Sequence, residues 1–241
     1  MMNTTTAGQE TASASVPLIT VDGPSGSGKG LLSAKLARHT GWQVLDSGAL
    51  YRLVALSALQ AELSLDDEAG LERISLNLDA SFSPGDDGID VCLHGEPVAQ
   101  KLRHEDVGAM ASKVAAMGVV RAALLQRQRD YWQLPGLIAD GRDMGTVVFP
   151  QAKLKVFLTA SAEERARRRY NQLMAKGENV NFSGLLREIE ARDERDQNRA
   201  LAPLKPADDA ILIDSTANSP EQVFAQVCQL LVEKQLFTES V

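Results

Sequence analysis

Cysteine is scarce. Cys92 and Cys228 are the only two in 241 residues, far apart and without metal-ligand spacing, so neither a disulfide scaffold nor a thiolate metal site is expected. Both are expected to be buried, reduced thiols. Histidine is nearly as rare, and His39, His94 and His104 stand in no motif, which argues against imidazole catalysis. No uninterrupted apolar run approaches the ~20 residues of a membrane span. Met1 to Ser15 is rich in Thr, Ser and Ala, with no Arg and no apolar h-region. It fails as a secretory signal or transit peptide and reads as a disordered tail (1–15), so a cytoplasmic protein is expected. Net positive charge is absent too. Twenty-five Lys and Arg against 32 Asp and Glu give −7, which argues against wrapping a nucleic acid. A small anion held by a local cationic cluster remains open.

What is present is a core. The chain is 44% apolar and 24% charged, ordinary values for one domain or one domain with an insertion. Val16 to Val21 is a β-branched run ending in Asp22-Gly23. Gly28 to His39 is helical, with Leu32 and Leu36 on one side, and Gly41 ends it. Trp42 to Leu45 is extended and about Gly48 to Glu62 helical. Strand, helix, strand, helix predicts a parallel sheet covered by helices. Leu76, Leu78, Ala80 and Phe82 then alternate with polar residues, as do Ile89, Val91 and Leu93, around Pro84-Gly85-Asp86-Asp87-Gly88. That pattern predicts a small antiparallel meander, followed by helix from about Asp106 to Gln133. Residues 64–134 therefore read as an insert between core segments 16–63 and 135–241. In the second segment, strands at 137–139, 154–158 and 210–214 accompany helices at 160–175, 181–199 and 220–235.

The strongest motif is Gly23-Pro24-Ser25-Gly26-Ser27-Gly28-Lys29-Gly30, which carries G-x-x-x-x-G-K directly after a strand and opens a helix. Backbone N–H groups of such a loop curl around phosphates, and Lys29 is placed to reach the β and γ phosphates of a nucleoside triphosphate. Gly30 and Leu31 stand where a Mg²⁺-touching hydroxyl usually follows; Ser27 and Ser33 are the nearby hydroxyls. Two further clusters close strands: Asp46-Ser47-Gly48-Ala49-Leu50-Tyr51-Arg52 and Asp140-Gly141-Arg142-Asp143. Ligands of open α/β sheets bind beyond the carboxyl ends of strands. Ser47 also reads as a helix N-cap and Arg52 as a surface charge. Beside a phosphate loop, Arg52 and Arg142 become candidates for a second phosphate, and Asp140 for orienting Mg²⁺ or its waters. Along 181–199, Leu185, Ile189, Arg192, Asp196 and Arg199 share one helical stripe. A stripe that begins apolar and turns charged without changing side points those charges toward a cleft. Arg167, Arg187 and Arg195 read as solvated. From Ser161 to Arg199 there are nine Lys or Arg against eight Asp or Glu, so no general basic patch exists here.

These segments, with Leu137 to Pro150 and Arg192 to Arg199, occur in an order that resembles the bacterial cytidylate kinases from about Val16 to the last helix. The long insert is likewise similar to the bacterial type, distinct from the shorter eukaryotic UMP/CMP kinases. The resemblance implies an α/β fold with a P-loop NTPase-type parallel sheet flanked by helices. It also implies an inserted small antiparallel sheet plus helices (the monophosphate-binding insert) and a short helical lid at about 165–199. It implies ATP as phosphoryl donor with Mg²⁺, CMP or dCMP as acceptor, no nucleic acid or membrane partner, and a monomer. By the same resemblance Ser47, Tyr51, Arg52, Arg142, Asp196 and Arg199 hold the acceptor's phosphate and sugar. Ser112, Arg121 and Asp143 face its base, while Arg168 and Arg192 serve the lid on the ATP side. Catalysis would fall to Lys29, Arg142, Arg192 and Arg199. The pattern departs at Leu31, where Thr is usual, and at Met117-Gly118, where Phe-Pro is usual. A UMP/CMP or adenylate kinase, and a P-loop switch that binds nucleotide without phosphorylating a metabolite, are the competing readings.

Overall fold

The computed structural model describes residues 16–238; the tail expected at 1–15 lies outside them. Five parallel strands form the main sheet: β1 (Leu18–Asp22), β2 (Gln43–Asp46), β6 (Leu137–Gly141), β7 (Leu154–Thr159) and β8 (Ile211–Asp214), in the order β2-β6-β1-β7-β8. β1 and β6 lie inside the sheet and are buried throughout. That burial on both faces explains why LITVD reads as an apolar run with no alternation.

The strand side chains divide between two helix layers. Ile19, Val21, Val44, Ile138 and Val156 meet Leu32 and Leu36 of α1 (Lys29–Thr40) and Val223, Val227 and Leu231 of α8 (Pro220–Glu233). Leu18, Leu45, Leu137 and Ala139 meet α2 (Ser47–Gln60) and the insert. α1 ends where Gly41 adopts φ 72° and its N–H reaches the Ala37 carbonyl, as the glycine stop predicts. α8 begins with a capping box between Ser219 and Gln222.

The insert comprises α3 (Glu68–Leu76), a three-stranded antiparallel sheet of β3 (Ala80–Gly85), β4 (Gly88–Leu93) and β5 (Glu96–Pro97), then α4 (Glu105–Val114) and α5 (Gly118–Asp130). Two expectations are corrected here. Leu76 closes a helix and is 56% exposed, so it is no strand residue. Asp67 starts that helix by accepting from the Gly70 N–H, and Leu71 and Ser75 are buried one turn apart. The expected single helix at 106–133 is two helices bent by 91° across the break at 115–117, and both sides pack into the core through Val114, Val120 and Leu124. The β3–β4 tip leans on α1, where Arg38 donates to the Gly85 carbonyl at 2.7 Å.

The longer helices α6 (Ala162–Ala175) and α7 (Phe182–Asn198) follow β7 and pack against each other. Cys92 and Cys228 are not joined in a disulfide and are half-buried, not fully buried as expected. Among the described residues no single helix is long and apolar enough to cross a membrane.

Candidate active site

The carboxyl ends of β1, β2, β6, β7 and β8 open into one cleft of about 700 Å³. Its floor is the loop after β1. Gly23, Gly26 and Gly28 have φ of 147°, 80° and 99°, conformations that favour glycine and turn successive N–H groups inward. At Gly23 the packing is decisive, since a Cβ there would lie 2.0 Å from the Leu158 carbonyl oxygen. Pro24 turns its carbonyl inward, accepting from Ser27 Oγ at 3.1 Å and Lys29 Nζ at 2.8 Å. Gly28 caps α1, whose N-terminus faces the cleft.

Asp140 at the end of β6 is buried beside Lys29. Burial pushes the lysine down and the carboxyl up, each resisted by the other's opposite charge. A Cβ at Gly30 would stand 3.8 Å from Asp140 Oδ2, so the absent side chain leaves room above that carboxylate. Ser33 is fully buried, its Oγ without a partner, and does not line the cleft; Ser27 and Leu31 do.

The side facing α2 carries a web of paired polar groups. The cap of α2 is Asp46, which accepts from the Ala49 N–H at 2.9 Å, and this replaces the N-cap reading of Ser47. Ser47 is freed for another bond: its Oγ donates to Gln128 Oε1 at 2.7 Å, and Gln128 donates to the Leu124 carbonyl. Arg52 is no surface charge, since it reaches the Leu102 carbonyl from a half-buried position in the wall. Tyr51 accepts from Arg121 at 3.3 Å, and burial pushes its hydroxyl up to about 12. Arg121 pairs with Asp143; Asp143 and Ser112 line the cleft, while Arg121 stands behind them.

Of the predicted stripe, Arg192 and Asp196 line the cleft from α7; Arg199 lines it too, but as the extended residue that caps the helix and not as a further turn of it. Arg142 Nε donates to Asp196 Oδ2 at 2.5 Å. Burial acts to raise Asp196, but Arg142, Arg192 and Arg199 overcome it and hold the carboxyl below its usual range. Burial, then the cations Arg142 and Arg52, push Arg192 down to about 9. Arg192 Nε and Arg199 Nη2 are buried without hydrogen-bond partners. Donors left in that state are costly unless a ligand meets them. Arg187 and Arg195 are exposed, and Arg167 pairs with Glu163 and Glu164 at the surface, as read.

Arg168 on α6 reaches Ser27 O, Ser215 O and Ser215 Oγ, joining the phosphate loop to the turn after β8. Several residues escaped the sequence reading. Asp22 accepts from the Met144 and Gly145 N–H groups at 2.8 and 2.7 Å, and burial lifts it to about 6. Gln128, Arg165, Arg169 and Ser215 were also missed. Arg169 adjoins the Arg167-Arg168 run, so only its helical phase distinguished it. Around the cleft stand eight Lys or Arg and six Asp or Glu, an excess of positive charge within a chain of net −7.

Residues 19–233 match the family model described as cytidylate kinase. The chain is 57% identical over 211 residues to a cytidylate kinase of Aeromonas hydrophila, covering 88% of this chain and 92% of that one. It is 59% identical over 212 residues to one of Pseudomonas paraeruginosa, covering 87% and 93%. A cytidylate kinase of Stutzerimonas stutzeri is 56% identical over 223 residues, covering 92% and 97%. The glycine-rich loop, the inward Arg192 of α7 with Arg199 at its end, and the antiparallel insert thus occur together in a chain that belongs to the cytidylate kinase family.

Proposed function

We propose that the protein transfers the γ-phosphate of ATP to CMP or dCMP, giving ADP and CDP or dCDP. The observation that carries this reading is the pairing of two cationic sites across one cleft. The loop from Gly23 to Leu31, with Lys29 and Arg168, receives the triphosphate. Facing it, Arg52, Arg142, Arg192 and Arg199 gather more positive charge than one triphosphate needs, and two of these residues hold buried donors with no partner.

A monophosphate acceptor is largely deprotonated near neutral pH, so no general base is required and the absence of a placed histidine costs nothing. Catalysis then rests on alignment and on neutralising the charge spread over the transferring group. Lys29 leaves the Pro24 carbonyl for the phosphates. Arg142 and Arg199 hold the acceptor's phosphate, with Ser47, Tyr51 and Asp196 fixing its orientation. Arg192 extends its charge toward the transferring phosphoryl group. α6 and α7 act as the lid, keeping water from the donor.

The residues present fit Mg²⁺. Asp140 offers one carboxylate with open room beside Gly30, and this ion commonly takes one or two carboxylates while keeping waters and phosphate oxygens. Among the described residues no cluster of three or more His, Cys, Asp or Glu competes for it. Bound there, Mg²⁺ supplies charge neutralisation of the phosphates, with Asp140 orienting its water. Ser112, Asp143 and, through Asp143, Arg121 set the edge presented to the base. A site built around hydrogen bonds to the exocyclic amine rejects an analogue that lacks it.

An acceptor panel tests the assignment. ADP release is followed with CMP, dCMP, UMP, AMP and GMP at saturating Mg·ATP, and CMP and dCMP are expected to be the preferred acceptors. Preference for AMP or UMP refutes the acceptor assignment. Binding of ATP without any acceptor-dependent turnover favours the switch.

A further inference from the structure

Arg165 is 3% exposed, and neither the phosphate-loop motif nor the acceptor-side arginines account for it. Its Nε donates to the Ala160 carbonyl at 3.0 Å, just beyond β7. Nη1 donates to the Ser25 carbonyl at 3.0 Å and to Asp193 Oδ1 at 3.0 Å, and Nη2 donates to Asp193 Oδ2. Its stem lies on the loop: a Cβ at Gly26 would stand 3.4 Å from Arg165 Cβ. Four of the five guanidinium N–H groups are thereby engaged inside the protein, which leaves Arg165 poorly suited to hold a phosphate even though it borders the cleft.

The placement of Asp193 gives this arrangement its meaning. It lies on α7 beside Arg192 and one turn before Asp196, and its side chain is 17% exposed. One guanidinium therefore fastens three things together: the end of β7, the Ser25-Gly26 peptide of the triphosphate loop, and the helix that carries the acceptor-side charges. A planar fork engaged at both ends fixes distance and orientation, which a flexible ammonium does not.

We propose that the Arg165–Asp193 pair is a positioning link through which occupation of the triphosphate loop sets α7 over the acceptor, so that donor and acceptor bind with positive coupling. A nucleotide that orders Ser25-Gly26 orders Arg165, and through Asp193 it restrains Arg192, Asp196 and Arg199. Binding linkage is reciprocal, so the acceptor tightens the donor by the same factor. The inference rests on the two-nucleotide reading of the cleft, and CMP binding by the unaltered protein tests that reading separately.

CMP affinity is measured by titration calorimetry with and without a non-hydrolysable ATP analogue and Mg²⁺, for the unaltered protein, Asp193→Asn, Arg165→Lys and the double variant Arg165→Met/Asp193→Met. In the unaltered protein the analogue should tighten CMP about 5-fold or more, the lower range of allosteric coupling. In Asp193→Asn and Arg165→Lys that factor should fall below about 2, with CMP affinity in the absence of analogue changed by less than about 3-fold. Turnover should fall about 10–100-fold, because the acceptor charges lose their register to the loop. The double variant replaces a buried ion pair by apolar side chains, so its thermal midpoint should stay close to the original while coupling stays lost. If a single variant does not fold, the double variant carries the same comparison. Recovery of both coupling and turnover in the double variant overturns the proposal and leaves the pair a purely structural one. Coupling that persists in the single variants overturns it, as does CMP binding to the unaltered protein without coupling. Failure of the unaltered protein to bind CMP overturns the two-nucleotide reading and this inference together.

Discussion

Replacing Arg142 by Met removes the cation at the centre of the acceptor side and keeps a stem that fills much of its space. Two consequences separate. In the free protein Arg142 donates to Asp196 at 2.5 Å, with side chains only 16% and 12% exposed. Breaking a fully buried pair from one side costs about 3–5 kcal/mol. Asp196, however, keeps Arg192 and Arg199 as neighbours. The stability loss should therefore be about 1–3 kcal/mol, the range for a buried group that loses one hydrogen-bond partner. During the reaction the loss is of a fixed cation facing growing phosphoryl charge, and removing one preorganised donor of that kind costs about 2.7–4 kcal/mol, or 10²–10³ in rate. Accordingly kcat/KM for CMP should fall about 10²–10³-fold, whereas affinity for an ATP analogue should change by less than about 3-fold. Arg142→Lys keeps the charge without the fork and should fall between the two. The assay is ADP release with CMP varied at saturating Mg·ATP, accompanied by analogue titration and urea unfolding. A loss below about 10-fold, or an equal loss of donor affinity, would refute the assignment of Arg142 to the acceptor.

Three further outcomes are expected. Asp22, lifted by burial from 3.8 to about 6, holds its proton more tightly folded than unfolded. Its contribution to stability is therefore complete below about pH 4 and declines by about 3 kcal/mol as pH rises to 6. Urea unfolding between pH 4 and 7 should show Asp22→Asn lacking that decline, and an unchanged slope would exclude the burial account. Ser47→Ala leaves Gln128 Oε1 buried without its donor and should cost about 1–3 kcal/mol; adding Gln128→Met should restore the thermal midpoint without restoring KM for CMP, and full recovery of KM would make Ser47 a packing residue only. Gly23→Ala places a Cβ 2.0 Å from the Leu158 carbonyl oxygen at a φ of 147°, so the thermal midpoint and ATP-analogue binding should fall together, and a folded variant with unchanged binding would show that β1 and β7 can separate there.

Much of the site was legible because its signals are local. The glycine loop declares itself by strand, spacing, lysine and helix within fifteen residues, and Arg192 and Asp196 by helical phase; Arg199 joins them in the cleft although the helix ends at Asn198. What escaped depended on competition or distance. Leu76 alternates with Leu78 as a strand would, yet the Asp67 cap and the burial of Leu71 and Ser75 favour a helix that ends there. Asp46 and Ser47 are both capping residue types, and only the register of the first helical turn gave the cap to Asp46 and the Gln128 bond to Ser47.

By itself the sequence determined the alternation of strands and helices, the phosphate loop and the sign of the charge on each candidate group, because these depend on side chains a few residues apart. The tertiary structure alone decided the partners. Asp22 meets Met144 and Gly145, Arg142 meets Asp196, and Arg165 joins Ser25 to Asp193. Those contacts exist because the order β2-β6-β1-β7-β8 brings distant strand ends to one edge. The net charge of −7 is likewise only a total. Folding turns Arg52, Arg142, Arg192 and Arg199 into one cleft where burial strengthens every charge, and that placement is what suits an acidic chain to two polyanions.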